Sequence, residues 1–351
     1  MYCIQSSGQG RNALHPSPAR RNVFALRSVV TAALLCITLI GLYGQDNALE
    51  LLRQAKNRFD ANLTDEGLAL IDKALGINPE LAEAYHLRAR VYINYREFQK
   101  AVNDCTRLIA LRPDAGEGYI LRGFAYLSLN EEEKAVVDLS RAIEIWPGVV
   151  DGYMMRAIAY ANLKDFENSS RDCTKAIALA PDMPFLYLTR ATSELWLHQY
   201  DDALADLQKV LTLDPQRSDV FLLVGIAHAG KNEVDTALAW TEKAVHDTGT
   251  AATAYRNLGF LYLAKGDPDS SISCFMRAME QDTTRERCRA MLGMSAAFID
   301  EQKPEEARSW LKRAKSIEPK LQMDKDVLVG FEQELLFDTE RRAYARALGA
   351  S

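Results

Sequence analysis

Residues 116–149 read GEGYILRGFAYLSLNEEEKAVVDLSRAIEIWPGV, and residues 150–183 read VDGYMMRAIAYANLKDFENSSRDCTKAIALAPDM. The two stretches align without a gap, with tyrosine at the fourth position, arginine at the seventh and proline at the thirty-second. The same spacing of 34 residues separates five prolines, Pro79, Pro113, Pro147, Pro181 and Pro215. A repeat of this length predicts stacked units rather than one globular core, because each unit can bury its apolar face only against its neighbours.

Each repeat contains two helical patterns. In residues 116–149, apolar and small side chains recur at spacings of three, four and seven, first from Tyr119 to Tyr126 and then from Ala135 to Ala142. These spacings place side chains on one side of an α-helix. Proline follows each second pattern and ends that helix, because it lacks the N–H that the next helical hydrogen bond requires. The sequence therefore predicts an all-α fold of helix pairs that forms one extended domain.

The order of residue types in these units resembles the tetratricopeptide repeat, over residues 48–320 and in eight copies. The resemblance implies a right-handed superhelix, an α-solenoid of antiparallel helix pairs, that acts as a non-catalytic scaffold for protein or peptide partners. The sixth and seventh copies keep the phase but have Gly249 and Thr283 in place of proline. The eighth is longer by two residues, and an insertion near residues 302–304 predicts a longer turn between its two helices.

The two ends of the chain differ from the repeats. Residues 1–44 contain four arginines and no acidic residue, and they end in the apolar stretch 28–44. A basic flank before a short apolar stretch is typical of an export signal, and an uncleaved membrane tether through residues 23–44 is the alternative. Either one places the repeats outside the cytoplasm, in the periplasm, the cell envelope or the medium. Residues 321–351 predict a capping helix and tail, with one apolar stripe formed by Val327, Leu328, Phe331 and Leu335.

Charge and chemistry exclude several classes of function. The chain has 42 basic and 48 acidic residues, a net charge of −6, and an acidic repeat array is a poor partner for nucleic acid. The five histidines are scattered without metal-ligand spacing, and no glycine-rich phosphate loop is present. We therefore expect no metal, no cofactor and no catalytic residue. Cys105 and Cys173 are predicted core residues, whereas Cys274 and Cys288 lie on neighbouring helices, where a disulfide is one alternative.

One pattern goes beyond the family signature. Four consecutive repeats have arginine at the seventh position and aspartate sixteen residues later, namely Arg88 with Asp104, Arg122 with Asp138, Arg156 with Asp172, and Arg190 with Asp206. The repeats that lack the arginine also lack the aspartate, which predicts contact between the two positions. We expect an ion pair that joins the two helices of each repeat. The alternative interpretation is a row of arginines that binds an acidic ligand.

The family resemblance also implies a concave ligand groove lined by the first helix of each repeat. Carried over to this chain, the peptide-binding positions are His86, Arg90, Ile120, Phe124, Met154, Ile158, Phe185, Leu188, Trp196, Leu222, Ile226, Arg256 and Phe260. The groove is then apolar in the middle and basic toward its N-terminal end. One alternative is that helix packing buries many of these side chains. Two other functions stay open, namely self-association through repeat surfaces or the C-terminal helix, and regulation by a membrane-tethered protein of unknown oligomeric state.

Overall fold

The computed structural model of the protein describes residues 45–247, 249–281 and 284–317. All regular secondary structure in these residues is α-helical, which confirms the predicted all-α fold. The sixteen helices of this part of the chain are α1 (45–60), α2 (Thr64–Ile77), α3 (Ala82–Asn94), α4 (Phe98–Leu111), α5 (Gly116–Ser128), α6 (Glu132–Ile145), α7 (Val150–Asn162), α8 (Phe166–Leu179), α9 (Pro184–Trp196), α10 (Tyr200–Leu213), α11 (Asp219–Gly230), α12 (Val234–Ala244), α13 (Ala251–Lys265), α14 (Pro268–Gln281), α15 (Thr284–Asp300) and α16 (Pro304–Ile317). The predicted export signal or tether (1–44) and the predicted cap (321–351) lie outside the described residues.

The chain divides into two compact units at the boundary between Pro113 and Asp114, whereas the sequence predicts one extended domain. The first unit contains α1 to α4, and its core includes Leu52 from α1, Ile71 from α2 and Leu108 from α4. The second unit contains α5 to α16 and is built from six consecutive helix pairs. Each unit therefore has its own apolar core.

The first helices of successive repeats form one layer of the second unit. Among helices that are not consecutive along the chain, the closest contacts join α5 to α7, α7 to α9, α9 to α11, and α13 to α15. Each of these helices is the first of its repeat, so the first helices approach one another more closely than the second helices do. We call the side of this layer that faces away from the second helices the inner face.

The turn inside each repeat is set by one residue in the left-handed region. Between α3 and α4 this residue is Arg96, with φ of 59°. Its N–H donates to the carbonyl of Ile93 at 3.0 Å, and the N–H of Glu97 donates to the carbonyl of Tyr92 at 2.8 Å. These two bonds form the Schellman motif, which satisfies the last carbonyls of the helix. The other repeats have the same left-handed residue at Asn62, Asn130, Lys164, His198, Asn232, Gly266 and Gln302.

The two extra residues of the eighth repeat lie in a helix and not in its turn, so the predicted longer turn is wrong. The turn at Gln302 has the usual pattern, because its N–H donates to Ile299 at 3.0 Å and the N–H of Lys303 donates to Phe298 at 2.8 Å. Helix α15 is instead 17 residues long, against 13 for α3, α5, α7 and α9. An α-helix accommodates added residues by continuing its hydrogen bonds, whereas the geometry of the Schellman motif fixes the turn length.

The sixth repeat ends without proline, and an aspartate stabilises the turn there. Helix α12 stops at Ala244 after 11 residues. The Asp247 carboxylate then accepts hydrogen bonds from the Ser218 hydroxyl at 2.5 Å and from the Gly249 N–H at 2.8 Å. These bonds hold the pKa of Asp247 below its usual value, and the bond from Ser218 has the largest effect. The side chain thus orders a connection that proline orders in the earlier repeats.

Candidate functional site

The four arginines at the seventh position each form a bidentate pair with the aspartate of their own repeat. Arg156 on α7 donates from Nε to Oδ2 of Asp172 at 2.7 Å and from Nη2 to Oδ1 at 2.8 Å. The same two bonds, at 2.6 to 2.8 Å, join Arg88 to Asp104, Arg122 to Asp138, and Arg190 to Asp206. All four aspartates are buried, so the charged contacts lie between the two helices of each repeat.

The third donor group of Arg88, Arg156 and Arg190 reaches the preceding repeat. Nη1 of Arg156 donates to the hydroxyl of Ser140 on α6 at 2.9 Å, and Nη1 of Arg190 donates to the hydroxyl of Thr174 on α8 at 2.9 Å. In the first compact unit, Nη1 of Arg88 donates to Asp72 on α2 at 2.5 Å. Sequence reasoning missed these contacts, although a polar residue sixteen positions before each arginine was their signal. Each of these arginines therefore links two repeats as well as two helices.

A tyrosine covers one side of each guanidinium. The Cζ atom of Arg156 lies 5.9 Å from the ring centre of Tyr153, three residues earlier on α7. Arg88, Arg122 and Arg190 have the same relation to Tyr85, Tyr119 and Tyr187, at 5.7 to 5.9 Å. The hydrogen bonds with Asp172, before any other cause, raise the pKa of Arg156. Because carboxylate, hydroxyl and ring surround it, this guanidinium is held by the protein itself, which favours the structural interpretation over an acidic-ligand site.

Several predicted groove residues form an apolar strip on the inner face of the second unit. We define this inner strip by five half-buried side chains on α5, α7 and α9, which are Ile120, Phe124, Met154, Ile158 and Leu188. They belong to α5, α7 and α9, three first helices of which each contacts the next. Ile226 on α11 is also half-buried. Partial exposure of adjoining apolar side chains is what a site for an apolar partner requires.

Three predicted groove residues lie in the core instead, which corrects the prediction for Leu222, Arg256 and Phe260. Leu222 packs with Ala244 and is 7% exposed. Arg256 is 5% exposed, and its Nη2 donates to the side chain of Asn257 at 3.0 Å. Phe260 is fully buried on α13, which packs against both α14 and α15. The close approach of the last repeats therefore removes these side chains from the inner face.

The remaining predicted groove residues are separate from the strip or at its edge. His86 is half-buried and Arg90 is exposed on α3, in the first compact unit. Phe185 is 40% exposed at the start of α9. Trp196, at the end of the same helix, stacks on Phe166 with ring centres 5.1 Å apart and an interplanar angle of 3°. Sequence reasoning missed this stacked pair, because the two residues are distant along the chain.

A buried carboxyl group on α9 was also missed. Glu194 is 7% exposed, its Oε1 lies 3.6 Å from Nε of Arg190, and its Oε2 has no hydrogen-bond partner among the described residues. The pKa of Glu194 is raised to about 7. Burial is the largest cause, the nearby charge of Asp206 adds to it, and Arg190 opposes the shift. The sequence does contain a signal for this residue, because other repeats have tyrosine, for example Tyr160, at the position where Glu194 stands.

This carboxyl group is expected to make the stability of the protein depend on pH. A carboxyl group with a raised pKa in the folded state contributes its full stability below the unfolded value near 4.5, and that stability is lost as the pH rises through about 7. We expect the free energy of unfolding to be larger at pH 5 than at pH 8 by roughly 1–3 kcal/mol. Glu194→Gln should remove this difference, as measured by urea unfolding followed by circular dichroism.

The matched control for this pH dependence is Glu144→Gln, which changes an exposed carboxyl group on α6. It should retain the pH dependence of the unaltered protein, because an exposed group has nearly the same surroundings when the chain unfolds. The comparison of the two variants, and not the pH dependence of one protein alone, reports Glu194. If Glu194→Gln and the unaltered protein lose the same stability between pH 5 and pH 8, the burial of this carboxyl group is not responsible.

The described residues supply no other obvious chemistry. Cys274 and Cys288 both carry thiols and are not bonded to each other. In the part of the chain that the structure describes, no group of three or more His, Cys, Asp or Glu side chains is arranged to hold a metal ion. No helix over the same residues has both the length and the apolar composition needed to cross a bilayer.

Comparison with known proteins agrees with the helix pairs. Two family models described as tetratricopeptide repeat match this chain, one at residues 188–255 and the other at residues 82–115, 116–147, 150–183 and 252–284. Together they cover more than half of the sequence. No curated protein matches the chain.

Solved structures share the fold at low sequence identity. A tetratricopeptide repeat protein from Parabacteroides merdae superposes with a TM-score of 0.58 and 14% identity, over 72% of this chain and 98% of its own. A chain from the APC/C hetero-tetramer Cut9-Hcn1 superposes with a TM-score of 0.54 and 18% identity, over 80% of this chain and 52% of its own. The protein thus spans about half the length of that second chain. From its repeat period, its helix pairs and the family models that match it, the chain belongs to the tetratricopeptide repeat family.

Proposed function

We propose that the protein is a non-catalytic scaffold that binds a polypeptide segment of a partner protein on the inner strip. Tetratricopeptide repeats generally act as interaction scaffolds, and the observation that carries the proposal is the strip itself. Five apolar side chains on α5, α7 and α9 are only half-buried, although the core of the same repeats is closed. Water-exposed apolar surface is costly, so partly exposed apolar side chains on adjacent helices are typical of a binding surface.

The geometry supports binding of an amphipathic or extended segment across the first helices. A segment that places apolar side chains on the strip would bury surface now in contact with water, at about 25 cal/mol for each Å². Phe185 and Trp196 lie on the middle one of the adjacent helices α7, α9 and α11, and aromatic side chains of this kind often dominate binding energy. The bidentate arginine pairs hold the helices in register, so the strip is formed before the partner arrives.

The strongest test of this function is a double substitution in the strip. Phe124→Glu with Ile158→Glu puts two charges at the centre of the apolar surface and should abolish capture of the partner. The measurement is affinity capture from an envelope extract, comparing the partners retained by each variant, with circular dichroism to establish that the helices are intact. The matched control is Val137→Glu, which changes an apolar residue that is 68% exposed on the second helix α6. Partners retained equally by both variants would contradict binding at the strip.

Self-association is the second candidate function. Val137 on α6 and Met276 on α14 are exposed apolar side chains on second helices, at 68% and 51%, and they favour a contact away from the inner face. In that case Val137→Glu, rather than the strip variant, would change the oligomeric state in analytical ultracentrifugation. Capture lost only with Phe331→Glu and Leu335→Glu would instead point to assembly through the C-terminal segment.

Export is also part of the proposal, on the sequence of residues 1–44 alone. Four arginines followed by an apolar stretch favour a segment that directs the repeats across a membrane. N-terminal sequencing of the native protein distinguishes the two forms. A mature start at Gln45 would exclude the membrane tether, whereas an intact N-terminus in the membrane fraction would support it.

A further inference from the structure

Two asparagines of the chain are followed, two residues later, by serine or threonine, and the structure places them in different surroundings. Residues 62–64 read Asn-Leu-Thr, and residues 168–170 read Asn-Ser-Ser. An asparagine in such a sequence is an acceptor for an N-linked saccharide, provided that it lies on the surface of an exported protein. The surroundings of each asparagine therefore determine whether it can be modified.

Asn62 lies in the turn between α1 and α2, where it is accessible. The residue is exposed, its φ of 58° is in the left-handed region, and its N–H donates to the carbonyl of Phe59 at 2.9 Å. Its side-chain amide makes no hydrogen bond with the residues that the structure describes. Leu63 is 40% exposed, and Thr64, the first residue of α2, is half-buried. The acceptor sequence thus forms a surface turn, which is where this modification occurs.

The second sequence is held inside a helix. Asn168 is the third residue of α8, its side chain donates to the Asp165 carboxylate at 2.7 Å, and it accepts a hydrogen bond from Arg171. Ser169 is fully buried, and its hydroxyl accepts a hydrogen bond from Ser193 at 2.9 Å. A transferase would have to unwind the start of α8 and break these bonds to reach the amide. The structure therefore favours Asn62 over Asn168 as an acceptor.

The stability of the turn explains the asparagine but not the threonine. Asparagine tolerates the left-handed region better than most residues, and Asn130 and Asn232 have the same place in the turns of the third and sixth repeats. These two are followed, two residues later, by Glu132 and Val234. Among the turns inside the repeats, the first alone combines a left-handed asparagine with a hydroxyl side chain two residues later.

We propose that Asn62 carries an N-linked saccharide in the exported protein. The inference rests on the proposed export, and it is independent of binding at the inner strip. In the reaction, Nδ2 of Asn62 forms a bond to the anomeric carbon of a saccharide that is attached to a lipid diphosphate. The bond between that carbon and the diphosphate oxygen breaks, and the lipid diphosphate leaves with the proton that the amide loses. The product is a bulky polar group on the surface of the first compact unit.

Mass spectrometry of the native protein tests the inference at single residues. Trypsin cleaves after lysine and arginine, so Asn62 is in the peptide 59–73 and Asn168 is in the peptide 165–171, each without a second asparagine. We expect most copies of the peptide 59–73 to have the added mass of a saccharide, and fragmentation should place that mass on Asn62. The peptide 165–171 should have its unmodified mass.

Variants expressed in the organism that makes the protein show what the modification requires. Asn62→Gln should abolish the added mass, and the turn accepts glutamine because Gln302 has the same left-handed conformation. Thr64→Ala should also abolish it, whereas Thr64→Ser keeps a hydroxyl and should retain it. Circular dichroism establishes that each variant has its full helix content.

The third repeat allows the opposite test, a gain of modification. Glu132→Thr supplies a hydroxyl two residues after Asn130, which is exposed in the same kind of turn. We expect a second saccharide, on Asn130, in this variant. The matched control is Glu133→Thr, which places the hydroxyl one residue too far along the chain and should add no saccharide.

The outcomes separate this inference from the proposed function. If the peptide 59–73 of the native protein has only its unmodified mass, the inference is overturned, and cell fractionation with N-terminal sequencing then shows whether export fails as well. A saccharide that persists in Thr64→Ala, or that lies on the peptide 165–171 instead, would also overturn it. Capture of partners by the inner strip, tested with Phe124→Glu and Ile158→Glu, does not depend on any of these results.

Discussion

Arg156→Leu is expected to lower the free energy of unfolding by about 3 kcal/mol, because it leaves the Asp172 carboxylate charged, buried and without its bidentate donor. Asp172 is only 4% exposed, and both of its oxygens accept hydrogen bonds from Arg156 at 2.7 and 2.8 Å. The substitution also removes the hydrogen bond from Arg156 to Ser140, so it weakens the contact between the third and fourth repeats. The loss should therefore exceed that of an ordinary surface ion pair.

A double-mutant cycle measures the interaction itself. Arg156→Leu combined with Asp172→Leu should cost less than Arg156→Leu alone, since two apolar side chains replace the pair and no unpaired charge remains buried. The measurement is urea unfolding of the full chain followed by circular dichroism. The matched control is Arg141→Leu on α6, an exposed arginine paired with Glu144, whose loss should stay within about 0.5 kcal/mol. Additive losses in the cycle would show that Arg156 and Asp172 do not interact.

Phe275→Ala is expected to have the largest effect of any apolar substitution in the last repeats, about 4 kcal/mol. Phe275 on α14 is fully buried, and its ring meets Phe260 edge to face with centres 4.9 Å apart. A Cβ atom on Gly259 would lie 2.6 Å from this ring, and one on Gly293 would lie 2.3 Å from it. The ring thus fills the space that two glycines leave on α13 and α15. Neither glycine has a side chain that could move into the resulting cavity.

The adjacent residue provides the control for Phe275. Met276 on the same helix is 51% exposed, so Met276→Ala should change the free energy of unfolding by no more than about 0.5 kcal/mol. The loss in free energy of unfolding for Phe275→Leu should lie between the losses for Phe275→Ala and Met276→Ala, because leucine fills part of the cavity. Urea and thermal unfolding of all three variants give the comparison. If Phe275→Ala costs no more than Met276→Ala, the ring does not hold these three helices together.

Much of the fold could be predicted from the sequence, because its signals are local or periodic. The 34-residue period predicts the helix pairs, and the family models and solved structures confirm the tetratricopeptide repeat. The joint presence of Arg156 and Asp172, and of their equivalents, predicts pairs whose bidentate geometry the structure then describes. Both signals recur at fixed spacing, so a single chain contains several copies of the same observation.

The candidate site was less predictable, because burial depends on how closely neighbouring repeats approach. Phe260 and Ile158 have the same position in their repeats, yet Phe260 is fully buried and Ile158 is half-buried. The difference comes from the contact of α13 with α15, which no spacing within one repeat encodes. The raised pKa of Glu194 was unpredictable for the same reason, since it follows from burial beside Asp206 and not from the neighbours of Glu194 in the sequence.

The 34-residue period and the local residue types suffice to predict the unit, its two helices, the proline that ends the second helix and the aspartate that pairs with each seventh-position arginine, because these depend on backbone chemistry and on residues that repeat at a fixed period. The packing of one repeat on the next was needed to learn which inner-face side chains remain partly exposed, where the two extra residues of the eighth repeat are accommodated, and that Arg156 and Arg190 also link successive repeats. Those features arise where helices of different repeats meet. There the distance between two backbones, and not the identity of either residue, determines what is buried and what can bind.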